Sequence, residues 1–306
     1  MKIYLETLGC QMNRLDSELV TSHLASAGHV LVTDAEDADV ALYNTCSVRQ
    51  HAEDKVHSRL GADGQRKAAG EKLIVGVLGC MAQNEGAKLL KRHPHVDIVC
   101  APGQLHRLAE FIADAQMGTP TLAVDPDRKA HPKPTGDEVI DTLDLSRDPE
   151  QAPAPSQAFV RVMRGCDKFC TYCIVPFTRG PEISREPQHI VEEVRRLAAA
   201  GRSEITLLGQ TVNSYRYTRG DATTRFSDLL EQLSPIPGLR RLRFVTSHPI
   251  DFGDDILHAM ADLPNVCEYL HCPAQTGSDA MLRAMNRKYT RAQYDAFVDR
   301  AYAIVP

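Results

Sequence analysis

Three times in the first eighty residues, a run of strand length and strand-forming composition gives out within a few residues of a cysteine. Lys2–Leu8 precedes Cys10, Val40–Tyr43 precedes Cys46, and Leu73–Leu78 precedes Cys80. A helical pattern follows each run. Leu15, Leu19, His23 and Leu24 share one side after the first, with Gly28 as the stop. Val48, Ala52 and Val56 follow the second, with Ser47 placed to cap them, and Glu85–Leu90 follows the third. Val30–Val32 and Val96–Val99 add two short strands, and Leu105–Ile112 one more helix. Strands alternating with helices across short connections predict an open parallel α/β sheet covered on both faces. Parallel strands share one C-terminal edge, where ligands are held in a crevice, so the pattern brings Cys10, Cys46 and Cys80 together. The plain alternative is three small buried residues, but core cysteines fall within strands rather than at one end of them. Cys100, in Val-Cys-Ala-Pro, lacks that placement and reads as structural.

Composition narrows the class. The chain has 306 residues, 43% hydrophobic and 25% charged, as expected of a soluble protein with room for two domains. No apolar run reaches the roughly 20 residues that span a bilayer, and Glu6 stands where a signal peptide would be apolar. The expectation is a cytoplasmic protein with no membrane association. Nine cysteines, an odd number in such a chain, argue for metal binding over a disulfide framework. A net charge of -5 provides no global case for nucleic-acid binding. The basic stretches Arg240–Arg243, Arg283–Arg291 and Arg49–Arg59 read as solvated surface.

From about Gly118 to Gln157 prolines and acidic residues replace periodicity, which predicts a linker with one edge strand at Val139–Leu143. Beyond it the strand-like run Ala158–Met163 leads into Cys166, Cys170 and Cys173, spaced C-x3-C-x2-C. Three thiolates so close can hold three irons of a [4Fe–4S] cluster and leave the fourth open to a small molecule. Zinc would need a fourth ligand, for which His248 or His271 is available. Helices at Glu186–Ala200, Phe226–Leu233 and Asp254–Leu263 then alternate with strands at Glu204–Leu208, Leu242–Thr246 and Val266–Leu270. Helical stretches through Met281 and Met285 and from Arg291 to Ala303 follow. This is the start of a (β/α) barrel, with its site at the strand C-termini. Four strands cannot close a barrel, so a chain stopping at Pro306 reads either as cut short at its C-terminus or as leaving the fold open.

The cysteine spacing, with Tyr172 before its last member, resembles the radical S-adenosylmethionine (SAM) superfamily. Within it, Leu8-Gly-Cys-Gln-Met-Asn13, Asn44-Thr-Cys-Ser-Val-Arg49 and Gly79-Cys-Met-Ala-Gln83 resemble the methylthiotransferases. Leu207-Leu-Gly-Gln-Thr-Val-Asn-Ser-Tyr215 and His271-Cys-Pro-Ala-Gln-Thr-Gly-Ser278 add to the likeness, which is strongest to the branch acting on tRNA. The resemblance implies an N-terminal methylthiotransferase domain over residues 1–117, a linker over 118–157 and a partial radical SAM barrel over 158–306. The C-terminal RNA-binding module of such enzymes is absent from the motif pattern.

What the resemblance implies is transfer of a methylthio group to C2 of N6-dimethylallyladenosine at position 37 of tRNA. Two [4Fe–4S] clusters would take part. Cys166, Cys170 and Cys173 would bind the one that chelates SAM, and Cys10, Cys46 and Cys80 an auxiliary one that delivers sulfur. One SAM would methylate that sulfur and a second would furnish the radical that removes hydrogen from C2. Tyr172 would lie along the adenine of SAM, Gly209, Gln210 and Asn213 would meet its methionine end, and Gln275 and Ser278 would border the pocket. The implied partners are an external one-electron reductant and a system replenishing sulfur or clusters, with the chain acting as a monomer. Hydrogen-atom abstraction demands no general base, so His248 and His271 receive no acid–base role. Two alternatives stay open. One is a sister methylthiotransferase acting on threonylcarbamoyladenosine or on ribosomal protein S12. The other is an iron–sulfur electron carrier without a SAM pocket.

Overall fold

The structure, a computed structural model, describes residues 1–125, 138–149 and 156–305. Contacts divide the chain into two units, Met1–Ala152 with Phe177–Gly180, and Pro153–Pro176 with Pro181–Pro306.

Unit 1 alternates as the sequence predicts. It runs β1 (Lys2–Leu8), α1 (Gln11–Ser26), β2 (Val30–Val32), β3 (Val40–Thr45), α2 (Gln50–Ala68) and β4 (Ile74–Gly79). There follow α3 (Cys80–Glu85), α4 (Ala87–Arg92), β5 (Ile98–Cys100), α5 (Leu108–Gln116), β6 (Thr121–Ala123) and α6 (Glu138–Leu145). The sheet is six-stranded in the order β2-β1-β3-β4-β5-β6, and every pairing in it is parallel. All of β3 and β4 is buried, because helices cover both faces and neither strand needs polar alternation. Tyr43 points toward α2, where its hydroxyl donates to Asp63 Oδ2 at 2.7 Å. The next residue, Asn44, turns to the α1 side and bonds Asn13, as the two-residue period of a strand requires. Cys100 ends β5 fully buried, and burial pushes its thiol pKa up.

Several local expectations change. Ser47 does not cap α2, which starts at Gln50 after Arg49, and its hydroxyl is buried without a hydrogen-bond partner among the described residues. Helix follows Cys80 at once and restarts after Gly86, rather than beginning at Glu85. Thr121–Ala123, expected in the linker, is the sixth strand of the sheet. Val139–Leu143, expected as an edge strand, lies within α6. The proline-rich residues 126–137 and 150–155 lie outside the described residues.

One histidine of unit 1 carries a pH signature. His57 Nδ1 and His93 Nε2 are 3.0 Å apart. Burial first, then His57, His95 and Arg92, lower the His93 pKa to about 4. The unfolded chain protonates this residue near 6.5 while the folded chain waits until about 4, so stability is lost as pH falls through that window. Melts of the metal-free chain should show a lower midpoint at pH 5 than at pH 7, and His93→Gln should shrink the difference. A difference of the same size in the variant would contradict the assignment.

After β7 (Gln157–Arg161) and β8 (Met163–Arg164) the chain forms the short α7 (Val175–Thr178), then β9 (Ile183–Ser184), α8 (Pro187–Ala199) and β10 (Glu204–Leu208). It continues through β11 (Arg216–Arg219), β12 (Ala222–Arg225), α9 (Phe226–Leu233), β13 (Arg241–Phe244) and α10 (Asp254–Asp262). The last helices are α11 (Asp279–Ala284) and α12 (Arg291–Ile304). Parallel strands β7, β10 and β13 form a sheet in the order β13-β10-β7, with a core of aliphatic and aromatic side chains from the strands and α8–α10. The expected fourth strand, Val266–Leu270, is reduced to one parallel bridge between Leu242 and Val266. Past that bridge the Tyr269 amide donates to Cys267 O at 2.7 Å, so the backbone turns back on itself instead of pairing along β13. Two further pairings were not anticipated, the hairpin β11–β12 and the short antiparallel pair β8–β9.

Candidate functional site

The cysteines of unit 1 are placed by strand register. Leu8 lies opposite Thr45, and Thr45 opposite Gly79, so β1, β3 and β4 end level with one another. Cys10 stands at the N-terminus of α1, Cys46 follows β3 directly, and Cys80 is the first residue of α3. In a sheet of order β2-β1-β3 the chain reverses direction of travel at β1/β3, the position where open α/β sheets hold ligands. The thiols meet there. The Cys46 side chain hydrogen-bonds Cys10, holding the Cys10 sulfur below the usual thiol range and Cys46 above it, and Cys80 adds to the field at Cys46.

A buried amide pair ties the crevice together. Asn13 Nδ2 donates to Asn44 Oδ1 at 3.0 Å and to Thr45 O at 3.2 Å. Asn44 Nδ2 donates back to Asn13 O at 2.9 Å and to Ser17 Oγ at 2.9 Å. The Cys10 thiol donates to Asn13 Oδ1 at 3.2 Å, and the Val48 amide donates to Cys46 Sγ at 3.3 Å. The amide protons of both asparagines point at each other or at neighbouring oxygens, which fixes α1 against β3 and sets where Cys10 sits. Gly79 completes the arrangement at φ +87°, where an added Cβ would meet Asn44 Oδ1 and lie 2.8 Å from Thr45 O. Gly79→Ala should therefore combine backbone strain with a steric clash and cost on the order of 2–4 kcal/mol. Chemical denaturation of the metal-free chain measures this, and a loss below about 0.5 kcal/mol, the level of a neutral surface substitution, would refute it.

Sequence reasoning missed a cation at this site. Phe177–Gly180 follows Cys173 in the chain but belongs by contact to unit 1. Arg179 Nη2 pairs with Asp16 Oδ2 at 2.8 Å, with both side chains buried. Burial opposes the charge of Arg179, but Asp16, Cys80 and Cys10 outweigh it and hold the guanidinium protonated. The available signal was the Thr178-Arg-Gly180 ending of the cysteine loop; nothing in the sequence joins it to Asp16.

In unit 2 the loop after β8 carries Cys166, Cys170 and Cys173, and β9 closes it by pairing Met163 with Ser184 and Arg164 with Ile183. The Cys173 amide donates to Cys170 O at 2.9 Å. Burial raises the Cys166 thiol to about 11, with Cys173 and Cys170 among the neighbours adding to the rise, and burial raises Cys173 also. A second segment grips the loop from the α11 side. The Thr171 amide donates to Met285 O at 3.2 Å and its hydroxyl to Ala284 O at 3.0 Å. Asn286, at φ 56°, donates from Nδ2 to Phe169 O at 2.9 Å. Arg287 Nη1 donates to Cys170 Sγ at 3.2 Å. Arg287 lies in a basic stretch expected to be solvated; it is instead half-buried on the cysteine loop.

The other expected site residues fall as follows. Tyr172 is exposed on the loop. Gly209 follows β10, and a Cβ there would lie 2.6 Å from Met163 Cγ, so close approach rather than turn geometry calls for glycine. Gln210 Oε1 is buried without a hydrogen-bond partner among the described residues. Asn213 is engaged at both ends of its amide, donating to His248 O at 2.7 Å and accepting from the His248 amide at 2.9 Å. Gln275 takes a positive φ of 69°, and Ser278 caps α11 by accepting from the Met281 amide at 3.4 Å. His248 is buried and lowered to about 4 by desolvation and then by Arg287, which suits a neutral structural ring.

Among the described residues no group of three His, Cys, Asp or Glu side chains is arranged around a single metal ion. A cluster differs, because each thiolate binds its own iron and the sulfurs need not share one centre. Two separate thiol triads, one beside a buried guanidinium and one accepting from Arg287, are a donor set that fits such clusters.

Residues 2–101 match the family described as "Uncharacterized protein family UPF0004", and residues 160–306 match the radical SAM superfamily. Over 305 residues the chain is 46% identical to a tRNA-2-methylthio-N(6)-dimethylallyladenosine synthase of Rhodopirellula baltica, covering 99% of this chain and 64% of that protein. A protein of the same name from Syntrophotalea carbinolica is 42% identical over 308 residues, covering 99% and 67%. The chain belongs to the radical SAM methylthiotransferase family. It spans about two thirds of the length of these relatives. The cofactors of the family are SAM and [4Fe–4S] clusters. Its fold is shared with the radical SAM methyltransferase TsrM from Kitasatospora setae, at TM-score 0.67 and 14% identity, covering 99% of this chain and 65% of that one. The cobalamin-dependent SAM radical enzyme OxsB matches at TM-score 0.62 and 11% identity, covering 99% and 48%. At such identities the likeness is one of fold alone. Among the described residues no helix is long and apolar enough to cross a membrane.

Proposed function

We propose that this chain carries the two-cluster core of a tRNA methylthiotransferase, directing a methylthio group to C2 of N6-dimethylallyladenosine at position 37 of tRNA. The observation that carries the reading is the pair of cysteine triads, each placed just beyond a strand end of its own unit. Cys166, Cys170 and Cys173 hold the cluster that receives SAM, and Cys10, Cys46 and Cys80 hold the auxiliary cluster. When bound, these groups supply a carbon radical from SAM, a methyl group from SAM and a transferable sulfur. The protein's part is placement. The Asn13–Asn44 pair fixes the mouth of the auxiliary site, and the contacts of Thr171 and Asn286 hold the SAM-cluster loop. Tyr172, Gly209, Gln210, Asn213, Gln275 and Ser278 border the SAM pocket, and the unpartnered Gln210 Oε1 is an acceptor available to a ligand amine. An external one-electron reductant and a source of replacement sulfur complete the partners.

The two family relatives named above bear this activity in their names, which favours dimethylallyladenosine over the threonylcarbamoyladenosine and S12 substrates. Deleting the gene and analysing tRNA nucleosides by mass spectrometry tests the reading. The methylthio-dimethylallyl nucleoside should disappear and the form lacking the methylthio group accumulate, and re-expression with Cys10→Ala or Cys173→Ala should not restore it. An unchanged nucleoside profile in the deletion strain would overturn the assignment.

A further inference from the structure

Arg287 is a cation in hydrogen-bond contact with a thiol of unit 2, and its placement is built rather than incidental. Nη1 donates to Cys170 Sγ at 3.2 Å. The guanidinium lies over the Tyr289 ring, 5.7 Å from its centre. Nε is buried and has no hydrogen-bond partner among the described residues. Among the described residues no carboxylate is ion-paired with Arg287, so its charge is directed at sulfur rather than cancelled by an acid. Holding a half-buried cation in that position is unfavourable unless something anionic faces it, and thiolates carrying a cluster are anionic.

We infer that Arg287 is a positioning residue for the cluster of Cys166, Cys170 and Cys173, donating a charged hydrogen bond to the Cys170 sulfur and raising the cluster's reduction potential. The inference rests on the cluster reading above. Hydrogen bonds to the sulfurs and the local net charge are among the properties that set such potentials. A cation here favours the reduced cluster, which has one more negative charge, and so eases the one-electron reduction that must precede SAM cleavage. Arg287 does not simply tether the loop, because Thr171 and Asn286 already do so through three other bonds. Charge and tether are therefore separable by mutation.

The test uses the full chain with Cys10, Cys46 and Cys80 changed to Ala, reconstituted so that only the second site is loaded. Its midpoint potential is read by electron paramagnetic resonance during titration with dithionite. Arg287→Met should lower the reduced-to-oxidised ratio at a fixed poise roughly tenfold, equivalent to about 59 mV for one electron. Arg287→Lys, which keeps the charge without the planar fork, should fall between. Thr171→Val and Asn286→Ala should leave the potential near the parent value while a chelator strips the cluster faster. Should Arg287→Met load no cluster, Arg287→Gln replaces it, and a Gln potential equal to the parent's would overturn the inference. So would a parental potential in Arg287→Met, or equal shifts in Thr171→Val and Asn286→Ala. If the parent itself forms no cluster, the cluster reading fails, an outcome distinct from a loaded cluster that ignores Arg287.

Discussion

Reconstituted without oxygen, the chain is expected to bind about eight irons, and about four once Cys10, Cys46 and Cys80 are all alanine. The halving follows from geometry in unit 1. Leu8, Thr45 and Gly79 end in register, so the three cysteines beyond them share one crevice. A single replacement should be nearly as damaging as three, because two thiolates cannot anchor a cluster that already has one iron without a protein ligand. Changing Cys166, Cys170 and Cys173 instead should also remove about four irons, leaving the auxiliary site loaded. Iron and sulfide analysis with visible absorption distinguishes these cases. About four irons in both the parent and the Cys10/Cys46/Cys80 variant would show that unit 1 holds no cluster.

Arg179→Met should destabilise unit 1 of the metal-free chain by about 3–5 kcal/mol, the usual cost of stripping one partner from a buried ion pair. Asp16 is fully buried, and the variant leaves its carboxylate without the guanidinium at 2.8 Å. Replacing both members, Asp16→Leu with Arg179→Met, should recover most of that loss, because two apolar side chains avoid the desolvation that either charge alone suffers. Arg179→Lys should lie between, keeping the charge with fewer donors. Denaturant melts followed by probes specific to each unit give the comparison, since a two-unit chain need not unfold in one step. If Arg179→Met melts like the parent, the pair contributes nothing to stability, and the place of the Phe177–Gly180 turn in unit 1 needs another cause.

The sequence made unit 1 legible because β3 and β4, buried on both faces, appear as apolar runs and β1 as an alternating one, each closed by a glycine or a polar turn. Cys10, Cys46 and Cys80 stood out for the same reason: their distance from the strand ends repeats. Val266–Leu270 was misread because its apolar residues suit a strand, while pairing also needs a neighbour along its length, and only Leu242 provides one. The helix at 138–145 was hidden by the prolines around it, which made the whole stretch look like linker. The hairpin β11–β12 is too polar for an apolar pattern to detect, although Gly220-Asp221 is the two-residue turn such a hairpin uses. Arg179 and Arg287 illustrate a harder limit. Each is an arginine in an ordinary local context, and each acquires its role from a partner more than a hundred positions away, Asp16 at a separation of 163 and Cys170 at 117.

Reductive cleavage of SAM tests the division of labour between the two cysteine sets most directly. The reconstituted chain, given dithionite and SAM without oxygen, should release 5′-deoxyadenosine, measured by liquid chromatography. Cys170→Ala should abolish the product, whereas the Cys10/Cys46/Cys80 triple alanine variant should still form it. Product from Cys170→Ala, or its loss only when the unit 1 cysteines are removed, would contradict the account.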